Sequence, residues 1–294
     1  MNSDNQQTPV LLKKELENDC LTLLDESTGN WLTSKLAASP EAPSFYLTFG
    51  LIGKKIANIP AQIGQKTEAL FKAINPDFSA DQFRLDELCR LLLLLHLDSD
   101  RNHELISTLI GSSDRKEQIT IFKSLQYLEN AGDFTMEMID GLRTNMVDVF
   151  DAISQYNSFP VRFFHSGAWN QMVLKSIFME RPIYKIQGVD AKRNQKLADT
   201  LHDFVHERWS AGRNVHPELW RLVCGFENEH LIADMISLSE KGTELEKTAV
   251  RRALFDSELL EAKNWCQKNA ALKPAENWNE IGKMLETAQL QKVQ

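Results

Sequence analysis

The chain has 294 residues, of which 43% are hydrophobic and 25% charged, and its formal net charge is −8. This length and composition are sufficient for a proper hydrophobic core and exclude global disorder. The acidic balance argues against a nucleic-acid partner, because contacts to phosphates require a concentrated basic surface.

The N-terminal segment, the apolar runs and the cysteines predict the compartment in which the protein is located. The start, Met1–Gln7, is polar and lacks the basic and apolar regions of a secretory signal. The densest apolar run, Leu91–Leu95, is far shorter than the roughly 18 to 20 residues that span a bilayer. Four widely spaced cysteines, without a CxxC motif, indicate buried thiols of a reducing compartment. We therefore predict a cytoplasmic protein that is not embedded in a membrane.

Apolar residues recur at helical spacing from one end of the chain to the other, and alternating, strand-like stretches are nearly absent. The segments with this spacing are, in chain order, Leu12–Leu24, Leu85–Leu95, Ile119–Leu128, Ile139–Ile153, Leu197–Val205, Leu231–Leu238 and Leu254–Leu260. Breakers that contain proline lie between several of them, at Ser39–Pro43, Asn75–Asp77 and Asn157–Pro160. The pattern predicts an all-α protein of roughly ten or eleven helices, packed as antiparallel pairs in a helical bundle or an irregular α-solenoid.

The segment Ser166–Glu180 is apolar on almost every side, which is typical of a helix in the middle of a protein. Gln171 and Lys175 form its narrow polar sector, and Asn170 lies between apolar neighbours. A buried asparagine must find hydrogen-bond partners. We therefore expect a central helix whose polar strip faces a partner helix or a cavity.

Two arginines interrupt apolar helix faces. Arg143 falls among the apolar residues of Ile139–Ile153, and Arg208 interrupts the apolar stripe of a later helix. A guanidinium cannot lose its charge, so burying it requires carboxylates, carbonyls or an anionic ligand. Either each arginine extends its head group to solvent or pairs with an acid such as Asp148 or Glu207 for structural reasons, or the two bind an anion between two helices. We predict that both are largely buried in one polar cluster with Glu207. The other predicted members are Asn170, Gln171 and Lys175.

His202 and His206 are four residues apart and share one helix face, as the two histidines of a zinc-binding helix do. Both lie on the flank of the apolar stripe, however, and Asp203 is shorter than the glutamate of a metalloprotease. The sequence specifies no third ligand. These observations favour ordinary polar histidines, and we predict no metal and no cofactor.

Several long motifs carry a resemblance to a known family. They are Arg143–Met146, Ala168–Lys175, Pro182–Ile186, His206–Arg213 and Pro217–Arg221. In these stretches, which lie between residues 143 and 226, the chain resembles the EboA family of metabolite-traffic proteins. The resemblance implies a place in a pathway that makes or moves a small secondary metabolite. It implies no particular reaction, and it assigns no role to any residue.

We predict a disordered N-terminus over residues 1–9, followed by a single α-helical domain over residues 10–290. Within that domain, residues 10–130 form N-terminal helices, 131–226 the family core and 227–290 C-terminal helices.

The resemblance, the helical pattern and the lack of a catalytic motif predict a non-catalytic accessory or carrier protein. Its partner would be a small anionic metabolite or another protein of the pathway. The alternative is an enzyme of the same pathway, with a helical active site built on Arg143, Asn170, Lys175, His206 and Arg208. A third interpretation is a scaffold that docks through exposed Trp209 and Trp220. The candidate ligand-binding residues are Arg143, Asn145, Asn170, Gln171, Lys175, Tyr184, His206, Glu207, Arg208 and Arg213, and no catalytic residue is predicted.

Overall fold

A computed structural model describes residues 4–38 and 42–293, and all the regular structure in these ranges is helical. Residues 39–41 of the predicted breaker Ser39–Pro43 lie outside the described residues, as do residues 1–3. The chain divides into two compact units, Met1–Phe164 and His165–Gln294.

The first unit has ten α-helices among its described residues. They are α1 (Asp4–Leu23), α2 (Glu26–Ala37), α3 (Ala42–Lys55), α4 (Gln65–Ile74), α5 (Leu85–Leu95), α6 (Ser99–Ser112), α7 (Arg115–Ser124), α8 (Thr135–Gly141), α9 (Val147–Ser154) and α10 (Phe159–Phe163). Short 3-10 turns lie at Ala80–Gln82, Leu125–Tyr127 and Ala131–Phe134. An isolated bridge pairs Pro60 with Arg84.

Helix α5 forms the middle of the first unit's core, because nearly every residue from Leu85 to Leu94 is buried. It packs against α1, α3 and α7. Cys89 of α5 and Cys20 of α1 are both buried. Their mutual hydrogen bond, together with burial, raises the pKa of the Cys20 thiol well above its usual value. A thiol in this environment stays protonated.

One charged residue, Arg90, is buried within this apolar helix. Its Nη1 donates to Asp86 Oδ2 at 3.0 Å, and its Nε donates to the carbonyl oxygen of Phe49 at 3.2 Å. The guanidinium also lies over the Phe49 ring, 5.3 Å from the ring centroid. Gly53 faces the guanidinium so closely that any side chain at this position would overlap it. The guanidinium of Arg90 therefore has partners on both α5 and α3.

The second unit has seven α-helices among its described residues. They are α11 (Ser166–Phe178), α12 (Gln195–Ser210), α13 (Leu219–Val223), α14 (Glu229–Lys241), α15 (Glu244–Asp256), α16 (Leu260–Lys268) and α17 (Trp278–Val293). Short 3-10 turns lie at Ile183–Lys185 and Ala270–Leu272. Helices α14 and α15 form the most extensive helix contact of this unit. Gly242 and Thr243 connect them, and Thr243 begins α15 with a capping box to Glu246.

The predicted all-α fold is confirmed, but the helix count of ten or eleven is too low. The described residues form seventeen α-helices. Helices α8, α9, α10 and α13 are only five to eight residues long. Such helices are shorter than the 11 to 18 residues over which a period of 3.6 can be recognised. Packing as antiparallel pairs remains a prediction.

The structure can also be compared with the predictions for the N-terminus, for α11, for the cysteines and for membrane-spanning segments. Helix α1 begins at Asp4, and disorder over residues 1–9 stays a prediction. Phe178 of α11 is 56% exposed, so the apolar surface of this helix is not covered on every side. Cys266 is half-buried, whereas Cys20, Cys89 and Cys224 are buried. Within the ranges that the structure describes, no helix is both long and apolar enough to cross a membrane.

Candidate functional site

The second unit contains a cavity of about 320 Å³. Residues of α11, α12, α15 and α17 line it, together with the loop after α12. Its walls are mainly apolar, and they include Ile177, Phe178, Phe204, Val215, Leu245 and Leu285. The rings of Phe178 and Phe204 contact each other with centroids 4.7 Å apart. An apolar cavity with a few polar groups is the usual form of a small-molecule site.

The loop that follows α12 contributes one side of this cavity. Gly212 has a φ of +67°, a left-handed conformation that glycine adopts without strain. The Arg213 amide then donates to the Arg208 carbonyl at 2.9 Å, which reverses the chain after the last helical turn. The reversal brings Asn214–Pro217 to the cavity.

His216 is the most unusual polar residue in the cavity wall. It is only 8% exposed. Neither of its ring nitrogens has a hydrogen-bond partner among the described residues. Burial lowers the pKa of His216 to about 4, so the ring is neutral at physiological pH. Because buried polar groups are normally paired, this imidazole has hydrogen-bonding capacity that the fold does not use.

Arg208 lines the same cavity and is partly exposed. Its Nε donates to the carbonyl oxygen of Asn214 at 2.9 Å, which holds the side chain along the loop. The guanidinium carbon lies 5.9 Å from the centroid of the Phe204 ring. The fork of a guanidinium suits the paired oxygens of a carboxylate or phosphate.

Glu246 also lines the cavity, but the fold occupies its carboxylate. Oε2 accepts hydrogen bonds from the amide and the hydroxyl of Thr243, at 2.9 and 2.8 Å, and Oε1 accepts from the Val215 amide at 3.3 Å. This carboxylate caps α15 and fixes the loop before His216. His216 and Arg208 keep hydrogen-bonding capacity toward the cavity, whereas Glu246 does not. Glu180, Asn214 and Gln289 also line it.

Glu218 is a second buried titratable residue, two positions after His216. It is fully buried, and burial raises its pKa to about 7. Oε2 accepts a hydrogen bond from the Ile183 amide at 2.9 Å, whereas Oε1 has no partner among the described residues. Gly282 has no side chain, which leaves room for Glu218 Oε1. A Cβ atom at position 282 would lie only 2.7 Å from that oxygen. This carboxyl group packs between the Ile183–Lys185 turn and α17.

The predicted burial of Arg143 is wrong. Its side chain is 81% exposed and pairs with Asp140 at 3.2 Å. The helix expected over Ile139–Ile153 is interrupted after Gly141, so a helical wheel does not describe the position of Arg143. In the interruption, Thr144 Oγ1 accepts a hydrogen bond from the Met146 amide at 3.1 Å. A local bond of this kind competes with the helix.

Asn170 has a structural explanation. Its side-chain amide and that of Asn194 donate to each other, at 3.1 and 2.8 Å. Asn194 is also the N-cap of α12, where its Oδ1 accepts from the Leu197 amide at 3.1 Å. The buried asparagine of α11 therefore orients the residue that begins α12.

The remaining candidate residues lie in different places. Tyr184 donates to Glu286 at 2.6 Å. Lys175 is half-buried, and burial lowers its pKa. His206 contacts His202 and a residue of α14 that the sequence did not indicate, Asp234. Asn145, Gln171, Glu207 and Arg213 are exposed, as are Arg143 and His206. Arg208 alone among the ten candidates lines the cavity.

The scaffold interpretation depended on two exposed tryptophans. Trp220 is fully buried, so it does not form a docking surface. Trp209 is half-buried, and its ring lies 6.4 Å from that of Trp220. Sequence reasoning missed His216, since a single histidine before a proline carries no periodic or motif signal.

The family model of the metabolite traffic protein EboA matches residues 9–224. The chain belongs to the EboA family. The match confirms the resemblance and extends it toward the N-terminus, well beyond residues 143–226. Within the second unit it includes α11, α12 and α13, whereas α14 to α17 follow it in the chain. No curated protein and no solved structure matches this chain.

Proposed function

We propose that this EboA-family chain is a non-catalytic carrier or accessory protein that binds a small anionic metabolite in the cavity of its second unit. The family description, metabolite traffic, supports a role that depends on binding a small molecule. The observation that carries the proposal is the buried, unpartnered imidazole of His216 in a mainly apolar wall that also contains Arg208. The four cysteines are all free thiols, which supports a cytoplasmic location.

The cavity determines the kind of molecule that fits. Its volume of about 320 Å³ lies at the small end of ligand pockets, so the ligand is compact. The apolar walls favour an apolar body. Arg208 favours a carboxylate or phosphate at one end, and neutral His216 forms one further hydrogen bond, as donor or acceptor according to its tautomer.

The arrangement of side chains gives less support to the enzyme alternative. Asn170 is engaged with Asn194, and Arg143 is exposed on the first unit. His206 and Arg208 differ by two positions on α12, which separates them by about 200° around the helix axis. His206 and Arg208 therefore point to different sides of α12, which does not favour a single active site that contains both.

Binding is tested with three fluorescent probes of one shape: 1-naphthoate, 1-naphthalenemethanol and 1-naphthylmethylammonium. We expect the anion to bind most tightly. Arg208→Met should weaken naphthoate about 10- to 100-fold, the usual loss for a charge-assisted hydrogen bond, and should leave the alcohol unchanged. The control, Arg252→Met, removes an arginine that pairs with Asp256 outside the cavity.

A second pair of variants tests the location of the site. Ala288 lines the cavity from α17, and the neighbouring Thr287 is exposed. Ala288→Trp should block the cavity and abolish naphthoate binding, whereas Thr287→Trp should not alter it. Equal binding by both variants, or no binding of any probe at about 1 mM, would contradict the proposal.

A further inference from the structure

A second cluster of functional groups lies between α12 and α14. His202 and His206 project from successive turns of α12, and Asp234 faces them from α14. Asp234 Oδ2 lies 3.1 Å from His202 Nε2 and 3.0 Å from His206 Nε2. The two Nε2 atoms are themselves 3.2 Å apart. Three potential ligand atoms therefore form a nearly equilateral triangle.

Protons alone cannot satisfy all three contacts. Each Nε2 carries either a proton or a lone pair in the ring plane, and an ionised carboxylate only accepts. If one histidine donates to the other, the accepting nitrogen faces Asp234 with a lone pair against a lone pair. If both histidines donate to Asp234, their two N–H groups face each other. One side of the triangle is thus repulsive in every protonation state of the two rings with Asp234 ionised.

A divalent cation removes this conflict, because it accepts a lone pair from each of the three atoms. We propose that His202, His206 and Asp234 form a mononuclear site for Zn²⁺ or a similar first-row transition metal ion. Zinc binds such ligands at about 2.0–2.1 Å, so two ligands in a tetrahedral site lie about 3.4 Å apart. The three observed separations are within about 0.4 Å of that value.

The identity of the ligands selects the class of metal. Two imidazoles and one carboxylate suit zinc, iron, cobalt, nickel or copper, whereas Mg²⁺ and Ca²⁺ prefer sites made of oxygen. The sequence specified no third ligand because Asp234 follows His206 by 28 residues and belongs to another helix. The side chain of His206 is 54% exposed, against 17% for His202 and 21% for Asp234. Further coordination positions therefore open toward solvent on the side of His206, as in zinc sites that bind water or substrate.

This site is independent of the proposed ligand cavity. Phe204 and Arg208 line the cavity, and His202 and His206 each precede one of them by two positions on the same helix. Two positions correspond to about 200° around the helix axis, so the two pairs lie on different faces of α12. Metal binding would join α12 to α14.

The test uses the full-length protein after treatment with EDTA and dialysis. Titration with Zn²⁺ by calorimetry should give one ion per chain, and Mg²⁺ should give no binding. Co²⁺ should produce the visible absorption of a site that contains imidazole ligands. His206→Ala and Asp234→Asn should each lower the affinity for Zn²⁺ by at least about 100-fold. Loss of a residue that only orients a metal ligand already lowers metal affinity about 10- to 100-fold, and loss of the ligand itself should lower it at least as much.

His103→Ala is the matched control. His103 is 50% exposed and contacts Glu137 at 3.1 Å, so it is a histidine–carboxylate pair without a second histidine. We expect its replacement to leave zinc binding unchanged. Zinc should also raise the melting temperature of the wild-type protein and of His103→Ala, but not that of His206→Ala.

Two results would overturn the proposal: wild-type protein that binds no stoichiometric zinc, or His206→Ala that binds it as tightly as the wild type. Because His206 is half exposed, its replacement should not prevent folding, and Asp234→Asn preserves the shape of the side chain. Binding of 1-naphthoate should be the same in His206→Ala as in the wild type. Failure of the metal site and failure of the cavity are therefore distinguishable.

Discussion

Arg90 in the first unit and His216 in the second are both less than one-tenth exposed, yet their surroundings differ. Arg90 has a carboxylate, a backbone carbonyl and an aromatic ring around it. His216 has no hydrogen-bond partner among the described residues and borders a cavity. A paired buried charge belongs to the fold, because the fold supplies what its charge requires. An unpaired polar group beside a cavity costs stability unless another molecule satisfies it.

The largest effect is expected where the buried group is paired. Arg90→Ala leaves the Asp86 carboxylate buried without its cationic partner, so it should lower the free energy of unfolding by about 3–5 kcal/mol. The measurement is urea denaturation followed by circular dichroism. Replacing both residues, as Arg90→Met with Asp86→Leu, should recover part of that loss, because the Asp86 charge is no longer buried without its cation. Recovery should be incomplete, since Asn58 loses its acceptor and Glu117 loses the Arg90 charge 3.8 Å away. A loss below about 1 kcal/mol in Arg90→Ala would show that the pair does not support the fold.

Replacing His216 should raise the stability of the protein, whereas replacing Arg90 should lower it. His216→Phe removes two unpaired ring nitrogens and should raise the free energy of unfolding at pH 7 by about 1–3 kcal/mol. The histidine has a folded-state pKa of about 4, below its unfolded value of about 6.5. Between these values the unfolded chain binds the proton and the folded chain does not, so this residue destabilises the wild type progressively as pH falls from 6.5 to 4. The advantage of the variant should therefore grow by about a further 3 kcal/mol over that range.

Urea denaturation of both proteins between pH 4 and pH 8 measures this difference. Arg252→Met, which changes an ion pair outside the cavity, is the control and should remain parallel to the wild type at every pH. A constant difference between wild type and His216→Phe would mean that His216 is protonated in the folded protein. The cavity would then hold a positive charge at acid pH.

Glu218 should destabilise the protein as pH rises, whereas His216 destabilises it as pH falls. Its folded-state pKa of about 7 lies above the usual value of 4.5, because burial disfavours the carboxylate. Between these values the folded chain keeps a proton that the unfolded chain has lost, so the wild type loses stability as pH rises from 4.5 to 7. Glu218→Gln should therefore be more stable than the wild type by about 2–3 kcal/mol at pH 8 and nearly equal to it at pH 4.5.

Glu286→Gln is the matched control, because hydrogen bonds from Lys185 and Tyr184 outweigh burial and lower the pKa of Glu286. Stability from this carboxylate is present above its unfolded pKa and is lost as pH falls through its folded pKa. The control should therefore be less stable than the wild type at pH 8, opposite to Glu218→Gln. If Glu218→Gln were also less stable than the wild type at pH 8, the raised pKa of Glu218 would be wrong.

The fold class could be predicted because long helices carry their own signal. The run Leu85–Leu95 coincides with α5, and Leu231–Leu238 lies within α14. The interruption between α8 and α9 could not be predicted in the same way. It depends on a local hydrogen bond of Thr144 and on Gly141, whose missing side chain admits Ile153 and Phe122. Both are tertiary or turn features that apolar spacing does not contain.

Less of the candidate site than of the fold could be predicted from the sequence. A helical wheel identifies the face on which Arg208 or His206 lies, but not the element opposite that face. His216 comes from a loop and Asp234 from α14, and neither lies in a motif that links it to α12. Asn170 was correctly expected to need a partner, and its partner is the N-cap of the next long helix.

The smallest effect should come from Arg143, the arginine that the apolar pattern placed in a buried cluster. Arg143→Ala should change the free energy of unfolding by less than about 0.5 kcal/mol, because the ion pair with Asp140 is exposed to solvent and screened. Naphthoate binding should also be unchanged, in contrast to Arg208→Met. Urea denaturation and fluorescence titration of the same preparation measure both quantities. A loss of several kcal/mol would mean that Arg143 is buried after all, and that the interruption between α8 and α9 closes into one helix. A loss of naphthoate binding with stability intact would instead assign Arg143 to the ligand, and the cavity of the second unit would no longer be sufficient as the binding site.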